Sequence, residues 1–297
     1  MSSRYRSVAL PVAGGDLHVG LWGPEDPAAP TILAVHGVTS SHLAWEHTAR
    51  HLPEVRVIAP DLRGRGRSNT LVGPAGMASH ADDLAAVIRG LDVTPGLVVG
   101  HSMGGFVAVT FAHRHPELVS RLLLIDGGFP LAAPAGLSAD QLVAAILGPT
   151  AERLQMRFAD VDDYLAFWHP HPAFAGVWDE TLDRYFAYDL VADGDRYRPA
   201  TSYATTVEDT VDLNGGSSAI TDAVAGLRRP TRFVTVPRGL RDETPGLYPT
   251  AHRQEVLAAH PDVRHEEWAA FNHYTAVMSD AGGAAVARAV REELGLR

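Results

Sequence analysis

Short, nearly continuous apolar runs alternate along the chain with segments whose apolar residues recur every three or four positions. The runs are TILAVHG, VRVIAPDL, GLVVGHS, RLLLIDGG, TRFVTVP and VRHEEWAAF. Ahead of them, RSVALPVAGGDLHVGLWG predicts a hairpin that turns at Gly14-Gly15. Most of these runs are too continuous for half-exposed strands and are typical of strands buried on both faces. The pattern therefore predicts a mainly parallel sheet covered by helices, an α/β fold.

The segments between these strands predict the covering helices. They are HLAWEHTARHL, SHADDLAAVIRGL, FVAVTFAHRH and the C-terminal GGAAVARAVREEL. In the second of them, Ser79 and Asp82 are placed as an N-terminal cap. Pro116 ends the third, because proline cannot continue a helix.

The alternation of strands and helices breaks once, between about Pro130 and Leu227. This segment has no convincing buried strand and is rich in Ala, Asp, Trp, Tyr and Pro. Insertions after the carboxyl end of a strand lie over the ligand crevice of a parallel sheet. We therefore predict a core formed by residues 1–129 and 228–297 and a mostly helical lid at residues 130–227.

Composition narrows the possible functions. At 297 residues and 46% hydrophobic content, the chain can bury the core of an α/β domain with an insertion. A formal net charge of −10 argues against a nucleic-acid partner, which requires a basic face. No apolar stretch approaches the roughly 20 residues that cross a bilayer, and the first residues lack the apolar core of a signal peptide. We expect a cytoplasmic protein without a membrane partner.

The chain contains neither cysteine nor lysine. Thiolate nucleophiles, disulfides, thiolate metal sites, lysine Schiff bases and a P-loop lysine are thereby excluded. Any nucleophile must therefore be an oxygen group or a nitrogen group other than lysine. We expect no cofactor.

The stretch GHSMGG, from Gly100 to Gly105, lies between an apolar run and a helical pattern. It matches G-x-S-x-G, in which a sharp strand-to-helix turn carries a serine at its apex. Gly100 and Gly104 are the small neighbours that such a strained turn permits. Because a helix would begin near Met103, its free N–H groups and its dipole would face a developing oxyanion at Ser102.

Together with AVHGVTSSHLAW and APDLRGRGRSN, this turn resembles the α/β-hydrolase family, in its lid-bearing branch of esterases, lactonases and carbon–carbon bond hydrolases. The resemblance covers nearly the whole chain outside the lid. It implies an oxyanion hole formed by the N–H groups of Val38 and Met103. It also implies the chain order serine, acid, histidine, with the histidine after the last strand. Of the fifteen histidines, only His273 in FNHYT has that place, and an imidazole is the usual base for serine at neutral pH.

The acid has two candidate positions. The commoner one follows TRFVTVP, where Asp242 or Glu243 is available, although the intervening PRGL departs from the family's usual glycine and aspartate directly after the strand. The other is Asp126, at the end of the preceding strand and followed by two glycines. We favour Asp126, because a buried strand-end carboxylate suits the task of orienting an imidazole.

Other polar and aromatic residues are assigned less specific roles. His36 and His101 flank the oxyanion loop and the serine, and with Trp168 and Trp178 of the lid they are candidates for the substrate pocket. The HPHP segment at residues 169–172 is weak as a metal site without a third ligand nearby, and it fits a rigid lid turn better. In APDLRGRGRSN, we expect Asp61 and the arginines to hold the loop by local pairing rather than to bind phosphate.

The sequence thus predicts a serine hydrolase that acts on a small, largely apolar ester or lactone through an acyl-enzyme, with no metal. Hydrolysis of a carbon–carbon bond in a diketone-like substrate uses much the same residues and stays open. Ligand binding without catalysis also stays open, since a fold alone does not imply activity. Serine at the turn argues against epoxide hydrolases and haloalkane dehalogenases, which need an aspartate there.

Overall fold

The computed structural model describes residues 5–71, 73–132 and 137–296. Its centre is an eight-stranded sheet with the strand order β1-β2-β4-β3-β5-β6-β9-β10. The strands are β1 Arg6–Val12, β2 Gly15–Trp22, β3 Thr31–Val35, β4 Arg56–Pro60, β5 Leu97–His101, β6 Leu122–Ile125, β9 Thr231–Thr235 and β10 Arg264–Glu267. β2 pairs antiparallel with β1 and β4, and all other pairings are parallel. The predicted α/β fold with a mostly parallel sheet is therefore confirmed.

Burial along the strands follows their apolar content. Every residue of β3, β4, β5, β6 and β9 is buried, whereas β1 and β10 at the two edges contain exposed positions. Continuous apolar runs belong to the interior of such a sheet because helices cover both of its faces. The predicted hairpin forms, but it turns at Ala13-Gly14, one residue before the expected Gly14-Gly15, because Gly15 already pairs with Val12 as part of β2.

Two layers of helices cover the sheet. The helices outside the β6–β9 connection are α1 Glu46–Arg50, α2 Met77–Gly90, α3 Met103–Arg114, α10 Thr250–Ala259, α11 Thr275–Met278 and α12 Asp280–Leu294. Short 3₁₀ turns occur at His42–Trp45, Gly66–Ser68, Pro116–Leu118 and Pro172–Phe174. α1 and α12 pack on one face, and α2 and α3 pack on the other, so that the sheet separates two hydrophobic clusters. None of the helices in the described ranges combines the length and the apolar character that crossing a bilayer requires.

The connection between β6 and β9 interrupts the regular alternation, as the sequence predicts. It contains α4 Ala139–Leu147, α5 Pro149–Arg153, α6 Val161–Trp168, α7 Glu180–Tyr188, α8 Tyr203–Val211 and α9 Ala219–Ala225. A π-type turn follows α8 at Asp212–Gly216, and a small hairpin, β7 Leu190–Asp193 and β8 Arg196–Pro199, precedes it. The last helix, α9, packs against α3 of the sheet domain. The limits of a separate lid, residues 130 and 227, stay a prediction.

The start of α2 differs from the prediction. The helix begins at Met77 rather than after Ser79. Its N-cap residue is Gly76, which has no side chain that could accept from the first turn. Carboxylates of another segment take that role: Asp209 accepts from the Gly76 N–H at 2.7 Å, and Asp212 accepts from the Met77 N–H at 2.7 Å. The predicted cap of Ser79 and Asp82 is wrong, because acids from the β6–β9 connection satisfy the free N–H groups.

Candidate active site

Ser102 occupies the turn between β5 and α3. Its backbone has φ 55° and ψ −128°, a left-handed conformation that is costly for any residue except glycine. The Ser102 N–H donates to the Ile125 carbonyl at 3.0 Å, and the Ser102 carbonyl accepts from the Gly105 N–H at 2.9 Å. The serine is thus held at the carboxyl edge of the sheet, directly before the first turn of α3.

Close backbone approaches explain the glycines around this serine. A Cβ on Gly104 would lie 2.1 Å from the Val35 carbonyl oxygen, and a Cβ on Gly100 would lie 2.4 Å from the Gly104 carbonyl oxygen. On the other side, a Cβ on Gly127 would lie 2.0 Å from the Ser102 carbonyl oxygen. The turn therefore needs glycine on the neighbouring strand connection as well as in its own motif.

His273 lies in the loop between β10 and α11. Its N–H donates to the Arg238 carbonyl at 3.0 Å, and Nδ1 of its ring donates to Oδ2 of Asp126 at 2.7 Å. Both side chains are buried, with exposed fractions of 3% for His273 and 0% for Asp126. Asp126 follows β6 with a positive φ of 47°, and its N–H donates to the Val234 carbonyl at 2.7 Å. The backbone of two strands thus places the carboxylate beside the imidazole.

The alternative acids have other partners. Asp242 accepts from Nη1 of Arg238 at 2.7 Å and from Nδ2 of Asn272 at 2.9 Å, and its side chain is one-third exposed. Glu243 is exposed and accepts from the Arg241 N–H at 2.6 Å. Because Asn272 directly precedes His273, Asp242 braces the backbone of the histidine loop, while Asp126 contacts the imidazole itself.

Ser102, Asp126 and His273 line one cavity with a volume of about 80 Å³. Val38 and Met103 belong to the same wall. As the first residue of α3, Met103 has an N–H that lacks an intrahelical acceptor. Apolar side chains form much of the remaining lining: Phe106, Leu131, Ile146, Leu213, Leu240 and Leu247. The structure therefore brings together the serine, the histidine, the favoured acid and both predicted oxyanion residues, beside apolar surface.

The two histidines near the serine have different places. His101 lines the cavity, and its Nε2 donates to the His273 carbonyl at 2.8 Å. Burial, reinforced by the nearby His273 ring, lowers the pKa of His101 well below its ordinary value. His36 lies behind the cavity wall: its Nδ1 donates to the Gly37 carbonyl at 2.8 Å, and its Nε2 accepts from the Leu62 N–H at 2.9 Å. Burial lowers the pKa of His36 to about 4, so it is a neutral brace between two loops.

The two tryptophans that are candidates for the substrate pocket lie in one aromatic cluster. Trp168 and Trp178 stack on Phe186 with ring centroids 4.4 and 5.2 Å apart, inside an aromatic cluster of the β6–β9 connection. Neither belongs to the wall that the described residues form around Ser102. Trp168 lies in α6, whereas the half-buried Trp178 lies in the loop before α7. Trp168 lines a second cavity that shares Ile146 and Leu240 with the cavity at Ser102. The role of the two tryptophans in the substrate pocket stays a prediction.

The HPHP segment forms a turn, as expected. Pro172 begins a 3₁₀ turn, and Nδ1 of His171 accepts from the Ala173 N–H at 3.4 Å. The His169 ring packs edge-on against Trp178 at 4.5 Å. Both imidazoles thus have contacts that belong to the fold of this segment.

His18, His42 and Asp61 form a cluster with the spacing of metal ligands. Asp61 accepts from Nδ1 of His42 at 2.8 Å, from the Arg67 N–H at 2.8 Å and from the Tyr188 hydroxyl at 2.6 Å. These donors account for the buried carboxylate without an ion. As predicted, Asp61 holds its loop, although through the Arg67 backbone rather than an arginine side chain.

Two polar side chains contact the predicted oxyanion loop, residues 38–40, and were not foreseen from the sequence. Nε of Arg65 donates to the Val38 carbonyl at 2.8 Å, and the Tyr185 hydroxyl of α7 donates to Oγ of Ser40 at 3.0 Å. Arg65 lies in an arginine-rich run whose members look alike in the sequence, and Tyr185 lies far from the loop in the chain. No sequence signal separates either residue from its neighbours.

Comparison with known proteins agrees with this geometry. The model of the alpha/beta hydrolase fold family matches residues 30–217, well over half of the chain. The chain belongs to the α/β-hydrolase family. Among curated relatives, this α/β-hydrolase is 38% identical to lipase LipV of Mycobacterium tuberculosis over 156 residues, which cover 50% of this chain and 58% of LipV. It is 38% identical over 121 residues to the bifunctional esterase/perhydrolase DCH of Acinetobacter calcoaceticus, covering 40% of this chain and 43% of DCH.

The alignments with these two relatives span about half of their length. Solved structures match the α/β-hydrolase over nearly its full length. E-2-(acetamidomethylene)succinate hydrolase superposes with a TM-score of 0.80 at 21% identity, covering 98% of this chain and 100% of that one. A thermophilic esterase from Thermogutta terrifontis superposes with a TM-score of 0.65 at 21% identity, covering 99% and 98%. At this identity the likeness concerns the fold alone.

Proposed function

We propose that this α/β-hydrolase cleaves a small, largely apolar carboxylic ester or lactone through an acyl-enzyme on Ser102. The observation that carries the proposal is one cavity lined by Ser102, by the hydrogen-bonded pair His273–Asp126 and by apolar side chains. The names lipase and esterase of the relatives LipV and DCH support an ester as the substrate.

In the proposed reaction, Ser102 Oγ attacks the carbonyl carbon while His273 takes the hydroxyl proton. Asp126 holds Nδ1–H of the imidazole and stabilises the imidazolium that forms, leaving Nε2 for the serine. The N–H groups of Val38 and Met103 bind the oxyanion of the tetrahedral intermediate. His273 then protonates the leaving alkoxide, and the carbon–oxygen bond breaks. Water, deprotonated by His273, attacks the acyl-enzyme and releases the acid and free Ser102.

The cavity supports a limit on substrate size. Its volume of about 80 Å³ and its lining of leucine, isoleucine and phenylalanine suit a short apolar acyl group or a small lactone ring. Leu131, Ile146 and Leu213 of this lining come from the β6–β9 connection. We propose that the lid at residues 130–227 sets substrate size through these side chains.

The test measures turnover of 4-nitrophenyl esters from acetate to decanoate, together with a panel of lactones and diketones. We expect hydrolysis of short esters or lactones, and Ser102→Ala should reduce kcat at least about 10³-fold while the protein stays folded. A fluorophosphonate should label Ser102. Cleavage of diketones but not esters would instead assign carbon–carbon bond hydrolysis, and labelling of another serine would contradict the nucleophile.

A further inference from the structure

A fully buried arginine contacts both residues of the proposed oxyanion hole. Nε of Arg65 donates to the Val38 carbonyl at 2.8 Å, and its Nη2 lies 3.9 Å from Sδ of Met103. Nη1 also donates to the Arg63 carbonyl at 2.9 Å, which ties the guanidinium to its own loop. The exposed fraction of the Arg65 side chain is 0%. This cation therefore lies directly behind the loop whose N–H would bind the oxyanion.

The partner of this cation comes from α8. Asp209 forms an ion pair with Arg65, and the side chains of both are fully buried. Oδ1 of Asp209 accepts from the Gly76 N–H at 2.7 Å and from Nε2 of His80 at 3.0 Å. The carboxylate thus joins the arginine to the start of α2, and the pair is anchored on three segments.

The same helix also fixes the backbone of the arginine loop. The Ser202 N–H, at the start of α8, donates to the Gly64 carbonyl at 2.8 Å. A Cβ on Gly64 would lie 2.7 Å from the Thr205 side chain, so α8 lies in direct contact with the loop. The position of Arg65 therefore depends on how α8 packs on the sheet domain.

We propose that Arg65, held by Asp209, is a positioning residue that keeps the Val38 N–H directed into the oxyanion hole. The Val38 carbonyl belongs to the peptide that follows this N–H, so a rigid donor on the carbonyl restricts rotation of Val38 about its backbone bonds. Preorganised donors give oxyanion holes their effect, and a small misplacement forfeits it. Through Asp209, the β6–β9 connection helps to assemble the hole. The inference rests on the proposed function.

The test replaces Arg65 by lysine, which keeps the charge near Asp209 but cannot present the planar set of donors that reaches Val38 and Asp209 together. Arg63→Lys is the matched control. Arg63 lies on the same loop and forms an equally buried ion pair with Asp83 at 2.8 Å, and it donates to the Ala13 carbonyl at 2.8 Å. These two partners lie in α2 and in the β1–β2 turn.

Three quantities are measured for each variant: kcat and KM on a 4-nitrophenyl ester, the affinity for a trifluoromethyl ketone, and the urea midpoint of unfolding. The ketone is the informative probe, because attack by Ser102 converts it into a tetrahedral oxyanion. We expect Arg65→Lys to lower kcat and ketone affinity in parallel, by about 10- to 100-fold, with KM changed little. Arg63→Lys should change both by less than about threefold, even at a similar loss of stability.

Asp209→Asn provides a second route if Arg65→Lys does not fold. The amide keeps the shape and an acceptor for the Gly76 N–H but loses the charge that holds Arg65. We expect kcat and ketone affinity to fall by the same factor, and by a smaller factor than in Arg65→Lys. Equal losses in the Arg63 and Arg65 variants, or an Arg65 variant with unchanged ketone affinity, would overturn the inference while leaving Ser102-dependent hydrolysis intact. A wild-type protein that neither hydrolyses esters nor binds the ketone through Ser102 would overturn the proposed function, and this inference with it.

Discussion

Oδ2 of Asp126 lies 2.7 Å from Nδ1 of His273, and both side chains are shielded from solvent. Asp242 lies in the neighbouring loop, but its carboxylate is engaged by Arg238 and Asn272. The two aspartates therefore have different partners. Asp126 contacts the imidazole of His273, and Asp242 contacts the side-chain amide of Asn272, the residue before it.

This difference predicts unequal effects of two matched substitutions. Asp126→Asn should lower kcat by about 10²- to 10⁴-fold, because the amide cannot stabilise the imidazolium and favours the wrong tautomer. Asp242→Asn should cost about tenfold or less, since it only loosens the loop. Both variants are assayed on one ester after circular dichroism has shown that they fold. A nearly active Asp126→Asn variant would show that another carboxylate serves His273.

The positive φ of Ser102 predicts stored strain. Ser102→Gly removes the Cβ that makes φ 55° costly, whereas Ser102→Ala retains it. Glycine loses more conformational entropy on folding than alanine, which offsets part of this gain. The net result should be a glycine variant that is more stable than the alanine variant by about 1 kcal/mol. Urea unfolding measures the difference. Ala251 is exposed in α10, where the backbone is helical. Ala251→Gly should therefore lower the free energy of unfolding, the opposite of the effect at position 102. A less stable Ser102→Gly variant would mean that the turn is not strained.

The cavity lining predicts which residues control acyl-chain length. Ile146 lines the cavity, whereas Leu165 is a half-buried side chain that packs in the cluster around α6. Ile146→Ala should raise kcat/KM for esters with one or two additional methylenes by about 10-fold relative to acetate. Leu165→Ala should lower the urea midpoint and leave the chain-length profile unchanged. The assay is the 4-nitrophenyl ester series, and a shift in the Leu165 variant alone would place the acyl site elsewhere.

The burial of His36 predicts a pH dependence of stability. Its pKa is about 4 in the folded protein, whereas an unfolded chain protonates histidine near 6.5. Between these values the unfolded state binds more protons, so the free energy of unfolding falls as pH falls from about 6.5 to 4. The full effect is about 3 kcal/mol. His36→Gln should flatten the curve of unfolding free energy against pH in this window. An unchanged slope would assign the effect to other groups.

The amino-acid sequence by itself determined the sheet, the family and four of the covering helices, α1, α2, α3 and α12, but not α10 and α11. Strands buried on both faces must be continuously apolar, so β3, β4, β5, β6 and β9 are visible as runs without any knowledge of their neighbours. The turn at Ser102 is equally local. Its glycines are required because the backbone approaches itself closely, either within a few residues or at the adjacent strand. These glycines form a short motif that is visible in the sequence.

Only the tertiary structure decided which side chains meet across the chain. Asp126 and Asp242 both follow a strand, and the paths of two loops determine which one reaches His273. The acids at the start of α2 come from the β6–β9 connection, so local capping rules selected the wrong residues. Arg65 and Asp209 likewise become partners only when α8 packs on the sheet domain.

The tryptophans show the same limit within the β6–β9 connection. An aromatic ring in an amphipathic helix can face a ligand cavity or its own helical neighbours, and both choices bury the same apolar surface. Trp168 of α6 and Trp178 of the loop before α7 both stack on Phe186 of α7. Helix packing is set by the joint shape of several surfaces, which no single stretch of sequence contains.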